Sequence, residues 1–206
     1  MSQIKLKHSG GNGVIIAAPS SNPAADRTIT LPDLTADATF STVDGVSVLD
    51  TYMLNSQVTF GNDTAYQMDS NFVRASTLLS TIANIGTGVT KSGQYFSFPS
   101  TGIYRLFWRP ILAATNGNTA RYSAARIFAT TDNSSYSQVA EGNASSPGMG
   151  NAAFSYSAPL AEYHFDVTNT STHKVYFEFI NDQSGTMIGG STYVFTYATF
   201  TKIGET

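Results

Sequence analysis

Beyond Gly86 the chain alternates apolar and polar residues with a period of two, the repeat of a half-buried β-strand. Tyr95, Phe96, Ser97 and Phe98 open the pattern, and Pro99 to Gly102 reads as a turn. Ile103 to Leu112 follows as one ten-residue run with Tyr104, Leu106, Trp108 and Leu112 on a common face. Tyr122, Ala124, Arg126 and Phe128 alternate next, and the cluster at 131–135 marks another turn. Three further strands are predicted through Tyr163, Phe165 and Val167, through Val175, Phe177 and Phe179, and through Tyr193, Phe195 and Tyr197. Between Ser70 and Ile85 the apolar residues Phe72, Val73, Leu78, Leu79, Ile82 and Ile85 fit a short helix as well as a bent strand. Short strands joined by Gly, Asn, Ser and Pro loops, with no convincing amphipathic helix, predict an antiparallel β-sandwich, with jelly roll the preferred topology.

The N-terminal segment has a different texture. All 25 aromatic residues lie from Phe40 onward, although aromatics make up 12% of the 206 residues. Rings dominate the core energetics of small domains, so residues 1–45 are expected to form an arm and 46–206 a head. Three short β-prone runs mark the arm, Ile4 to Lys7, Gly13 to Ala18 and Thr28 to Leu31, punctuated by Gly10, Gly11, Pro19, Pro23 and Pro32. Strands this short need neighbours.

Composition narrows the function classes. Only 12% of residues are charged, about half the usual share of ~25% for a globular domain, and Ser, Thr, Gly and Asn supply 80 of the 206 positions. A net charge of −3 offers no basic field for phosphate, which argues against a nucleic-acid partner. With no cysteine, disulfide frameworks, thiolate metal sites and cysteine nucleophiles are excluded together. The start MSQIKLKHSGGNG has no apolar run of roughly seven residues behind its lysines, and no stretch approaches the ~18 of a membrane span. The expectation is a chain made in a cytoplasm, with no membrane insertion.

Candidate chemistry is sparse. Glu162, His164 and Asp166 share one strand face and could hold a metal or act as acid and base, but the solvated face of an amphipathic strand looks the same and is preferred. No nucleophile elbow, His-Glu-x-x-His pair or phosphate-cradling loop is present, so no catalytic residue, metal ligand or cofactor is assigned and a non-enzyme is expected. The segments 115–119, 131–137 and 141–151 are rich in Asn, Ser and Gly, with Tyr122 and Tyr136 near their ends, a mixture suited to recognising a host-surface glycan or protein. Aromatic content in the head exceeds what one small sandwich can enclose, and Ile103 and Phe107 lie opposite Trp108 on their strand, so a homo-oligomer is expected.

Two resemblances sharpen these expectations. FSFPSTGIYRLFWRP, Phe96 to Pro110, resembles the turn and central aromatic strand of the complement-component and tumour-necrosis-factor-like jelly rolls. STYVFTYATFTKI, Ser191 to Ile203, is similar to their last strand, which lines a threefold axis. That resemblance covers about residues 55–206 and implies a homotrimer whose interface includes Arg105, Phe107, Arg109, Tyr193, Phe195 and Tyr197. Arg105 and Arg109 lie on one strand face and could coordinate anionic sugars or a partner carboxylate, but the preferred reading is structural, with three copies of Arg105 around the axis pairing with carboxylates such as Glu178 to fix subunit register.

The second is carried by KLKHSGGNGVIIAAPSSNPAADRTITLPD, Lys5 to Asp33, which is similar to the N-terminal segment of tail-fibre-like structural proteins of marine and cyanobacterial phages, where NP-x-x-x-RTITLPD recurs. It implies a virion protein assembled in the host cytoplasm, with Ile4, Leu6, Val14, Ile15, Ile16, Ile29 and Leu31 attaching the arm to other virion proteins. The head would then face the host surface. At 206 residues there is no room for a long shaft, which leaves a short fibre or spike, with a head fibre or capsid decoration protein as the alternative.

Overall fold

The computed structural model describes residues 3–7, 13–17, 46–115, 120–148 and 154–206. It divides the chain into two compact units, Met1–Thr42 and Val43–Thr206. In the first, strand Gln3–Lys7 pairs antiparallel with Gly13–Ala17, setting Ile4 opposite Ile16 and Leu6 opposite Val14. Ile29, Leu31 and the run Thr28 to Leu31 lie outside the described residues.

The second unit is an antiparallel jelly roll. Its front sheet has the order Ala161–Val167, Gly102–Arg109, Tyr197–Gly204, Leu49–Leu54, Phe72–Arg74. Facing it, the back sheet runs Ser137–Ser146, Ala120–Thr130, Lys174–Asn181, Tyr95–Ser97, Thr90–Ser92. A third sheet, Phe154–Ser157, Leu112–Thr115, Gly185–Met187, Val58–Phe60, carries on from the front sheet through the strand pairs on either side of Pro110 and Pro159.

The period-two pattern builds the core as the sequence predicts for the central strands. Tyr104, Leu106 and Trp108 are fully buried, and so are Val175, Phe177 and Phe179 from the opposite sheet. The rings interlock edge to face: Trp108 meets Phe72 at 5.6 Å and Phe96 meets Phe177 at 5.4 Å. Such offset geometries suit the ring quadrupole and add to the gain from buried area.

Four expectations change. The run Ile103 to Leu112 is not one strand, because Pro110 has no N–H to continue the ladder; the strand stops at Arg109 and Leu112–Thr115 joins the third sheet. Ser70 to Ile85 contains both alternatives in miniature, a strand at Phe72–Arg74 followed by a 3-10 turn at Ala75–Thr77. Tyr193 and Phe195 precede the last strand, which begins at Tyr197. In Ala120–Thr130 the inward residues are Ser123, Ala125, Ile127 and Ala129, so Tyr122 and Phe128 face out. The reason is volume. Ala125 pairs with Phe179 and Ala129 with Val175, and the facing space is already filled by large side chains.

Where loop was expected at 141–151, the strand Ser137–Ser146 covers the first part, and 149–151 lie outside the described residues, as do 116–119. Gly142 lets this edge meet the front sheet: a Cβ there would lie 1.5 Å from the Leu160 carbonyl oxygen, so no larger residue fits.

Candidate functional site

The solvent face of the front sheet gathers most of the residues expected at a subunit interface. Because Tyr104, Leu106 and Trp108 point inward, Ile103, Arg105, Phe107 and Arg109 must point out. On the neighbouring strand Tyr197, Thr199 and Thr201 share that face, with Thr199 opposite Phe107 and Thr201 opposite Arg105. The Phe107 and Tyr197 rings stack with centroids 5.6 Å apart and planes inclined by 25°. Arg105, Phe107, Tyr197, Thr199 and Thr201 together line a shallow depression of about 240 Å³.

Charge brackets this apolar centre. Arg105 grips Glu162 in a two-pronged pair, Nε to Oε1 at 2.7 Å and Nη2 to Oε2 at 3.0 Å. That hydrogen bonding lowers the Glu162 pKa and raises that of Arg105, since each stabilises the other's charged form. His164 Nε2 lies 3.8 Å from the same carboxylate. Glu162, His164 and Asp166 are all exposed, on the face opposite Phe165 and Val167. Among the described residues no three His, Cys, Asp or Glu side chains are grouped to hold a metal ion.

The expected partner of Arg105 was wrong in kind. Glu178 is nearly buried in the back sheet, where its Oε1 lies 3.3 Å from Arg126 Nη1. Arg126 also holds Glu141 at 2.8 Å and donates to Tyr122 Oη at 2.9 Å, and Tyr122 donates to Glu141 at 3.0 Å. Sequence spacing cannot tell which of two opposed sheets will receive a charged residue.

The structure separates the remaining interface candidates. Tyr197 stands beside Phe107, but Tyr193 and Phe195 sit in the preceding loop, with their rings 6.0 Å apart. Tyr193 is 69% exposed. In the loop 131–137, Asp132 Oδ1 accepts from the Ser134 and Ser135 amides, both at 2.8 Å, and from Thr130 Oγ1 at 2.7 Å. These bonds to the ionised form hold the Asp132 carboxyl well below the usual carboxylate range. Sequence reasoning passed over Phe154 and Tyr156, which are exposed on a strand continuing the front sheet. The signal was present: the Glu162-His164-Asp166 period, extended backward across Pro159, reaches both.

No protein-family model and no curated protein matches the sequence. Solved structures do. Murine APRIL at pH 5.0 superposes with a TM-score of 0.53 at 10% identity, over 76% of this chain and 98% of that one. The Eiger TNF of S. frugiperda gives 0.53 at 10% identity, over 79% of this chain and 95% of that one. The PRD1 vertex protein P5 gives only 0.48, at 16% identity, and supports no conclusion. Identities this low speak to fold alone, and the fold they show is the tumour-necrosis-factor-like jelly roll.

Proposed function

We propose that this chain is a non-enzymatic structural protein of a bacteriophage virion. It is a homotrimeric short fibre or spike, held to the particle by an arm at residues 1–45, with the jelly-roll head at 46–206 exposed for host-surface binding.

The observation that carries the trimer is the second apolar face of the front sheet. Phe107 and Tyr197 stack on the side away from the core, in the middle of a five-stranded sheet whose other side is already packed. A sheet covered on one side normally presents a polar face to water. Stacked rings at the centre of that face are suited to burial against another copy, and the Arg105–Glu162 pair at their margin suits the rim of such a contact.

The virion role rests on the arm. Its resemblance to phage structural proteins through NPAADRTITLPD is joined by the antiparallel pairing of Gln3–Lys7 with Gly13–Ala17. A two-stranded hairpin is marginally stable by itself, which favours an arm that docks on a neighbour. The arm residues Ile4, Leu6, Val14, Ile15, Ile16, Ile29 and Leu31 supply the attachment.

Three measurements test the proposal. Mass in solution should be about 66 kDa, three times the 22.0 kDa chain, and a folded monomer refutes the trimer. Electron microscopy of particles carrying a tagged copy should place label on the tail, and the purified protein should compete with phage adsorption. Label on the head would replace the fibre with a capsid decoration or head-fibre protein.

A further inference from the structure

Beyond Pro110 and Pro159 the outer face of the front sheet runs on into the third sheet, and there its chemistry changes. From Phe154 to Val167 exposure alternates almost without a break: every even-numbered residue is exposed, and the odd-numbered ones are buried apart from the half-buried Tyr163. Below Pro159 the exposed positions are Leu160, at the junction, and then Glu162, His164 and Asp166. Above it they include Phe154, 45% exposed, and Tyr156, 59% exposed, with ring centroids 6.3 Å apart.

In strand Phe154–Ser157 the usual polarity is reversed, with rings outside and hydroxyls inside. The buried side explains why this register is kept. Ser157 Oγ lies 2.9 Å from Ser123 Oγ, which donates to Asn181 Oδ1 at 2.7 Å, and Ser155 Oγ lies 3.3 Å from Ser146 Oγ. A slip by one residue would bury both rings but tear the Ser155 and Ser157 hydroxyls from Ser146 and Ser123. The rings are therefore held out in water by a satisfied polar network beneath them.

The surroundings of the rings specify what they fit. Tyr156 pairs with Ala113, Ala113 with Thr186, and Thr186 with Thr59, one straight row across the sheet. Ala113 is covered, so what the row presents to solvent is a ring at one side and two threonines at the other. The four strands of this sheet contain no Asp, Glu, Lys or Arg. Such a shelf complements a flat, uncharged ligand with C–H groups on one face and hydroxyls at its rim. C–H groups stack on the negative face of a ring, and threonine hydroxyls both donate and accept.

We propose that Phe154, Tyr156, Thr186 and Thr59 form a binding shelf for a neutral glycan. This rests on the host-facing role proposed above and gives it a location and a ligand class. The area involved favours a sugar over a protein. Two rings bury roughly 150–250 Å² each at most, well short of the ~800 Å² per partner of a stable protein interface.

The test is an array of neutral oligosaccharides of glucose, galactose, mannose and N-acetylglucosamine, probed with the full-length protein and with variants. At least one neutral glycan should bind. Tyr156→Ala and Phe154→Ala should each weaken that binding at least tenfold, Tyr156→Phe should keep most of it, and Leu78→Ala, an exposed apolar side chain elsewhere, should leave it unchanged. Solution mass should be the same for all. Retained binding in both alanine variants overturns the shelf. If the protein adsorbs to host cells but binds no neutral glycan, the shelf falls while the host-binding role stands; if it binds neither, both fall. A Tyr156→Ala protein that loses its oligomeric state would show the rings to be a contact between copies instead.

Discussion

The indole N–H of Trp108 donates a 2.8 Å hydrogen bond to the backbone carbonyl of Glu178, tying the second strand of the front sheet to the middle strand of the back sheet. The only tryptophan thus reaches across the sandwich while its ring packs on Phe72 and Phe177. Trp108→Ala should cost about 3–5 kcal/mol, the range for deleting a large buried ring. Trp108→Phe keeps an apolar ring but leaves a buried bond unmade, and should cost roughly 1–3 kcal/mol. Urea midpoints at one protein concentration, with an unchanged slope, measure both.

Subunit association should be separable from folding. Phe107 faces away from the core, so Phe107→Lys leaves the sandwich intact but sets a third cation between Arg105 and Arg109 on the same strand face. The expected outcome is a shift from about 66 kDa to the 22.0 kDa monomer with an unchanged circular dichroism spectrum. An unshifted mass would place the contact between copies elsewhere.

At the margin of the core, Gly88 has φ +73°, and a Cβ on it would lie 2.4 Å from Asp50 Oδ2. That oxygen accepts the Val89 amide at 2.9 Å and pairs with Arg74 Nη2 at 3.0 Å. Gly88→Ala combines a left-handed backbone with a clash, and should destabilise by roughly 1–3 kcal/mol from the backbone alone. Thermal melts of the two proteins at matched concentration provide the check.

Asp50 should also make stability depend on pH in an unusual direction. Burial pushes its carboxyl above the ordinary 3.8, and Arg74 and the Val89 amide only partly reverse this. Between the unfolded and the folded pKa the native state therefore binds more protons than the unfolded chain. Its contribution is fully present below the unfolded pKa and is lost as pH rises through the folded one. Asp50→Asn should flatten the difference from wild type across that window, seen as converging urea midpoints at the acidic end.

Asp132 has the opposite sign. Its carboxyl is held low by the Ser135 amide, the Thr130 hydroxyl and the Ser134 amide, so its contribution is present above the unfolded pKa and fades only as pH falls toward the folded one. Hydrogen exchange at Ser134 and Ser135 should therefore stay slow below about pH 4, where an ordinary aspartate is protonated. In Asp132→Ala the two amides should exchange at loop rates at every pH.

Much of this molecule is legible in its order of residues. Period-two alternation identifies the strands through Trp108, Phe165 and Phe177, and the lack of rings before Phe40 marks the change in texture at the arm. Both follow from local chemistry, since a strand's two faces are written in adjacent residues. Proline was equally informative once its missing donor was weighed, because Pro110 ends the strand that a hydrophobic count alone would extend to Leu112.

Tertiary structure decided what alternation leaves open, which side of each strand is inside. Tyr122 and Phe128 look like core and face outward because Phe177 and Phe179 already fill the space. Ser155 and Ser157 look like surface and are buried because Ser123, Ser146 and Asn181 wait to bond the strand's inner face. Arg105 found Glu162 across a strand pair, and Glu178 found Arg126 in the other sheet. Alternation records a difference between neighbours in one strand, whereas volume and hydrogen-bond satisfaction are settled between strands far apart in the chain.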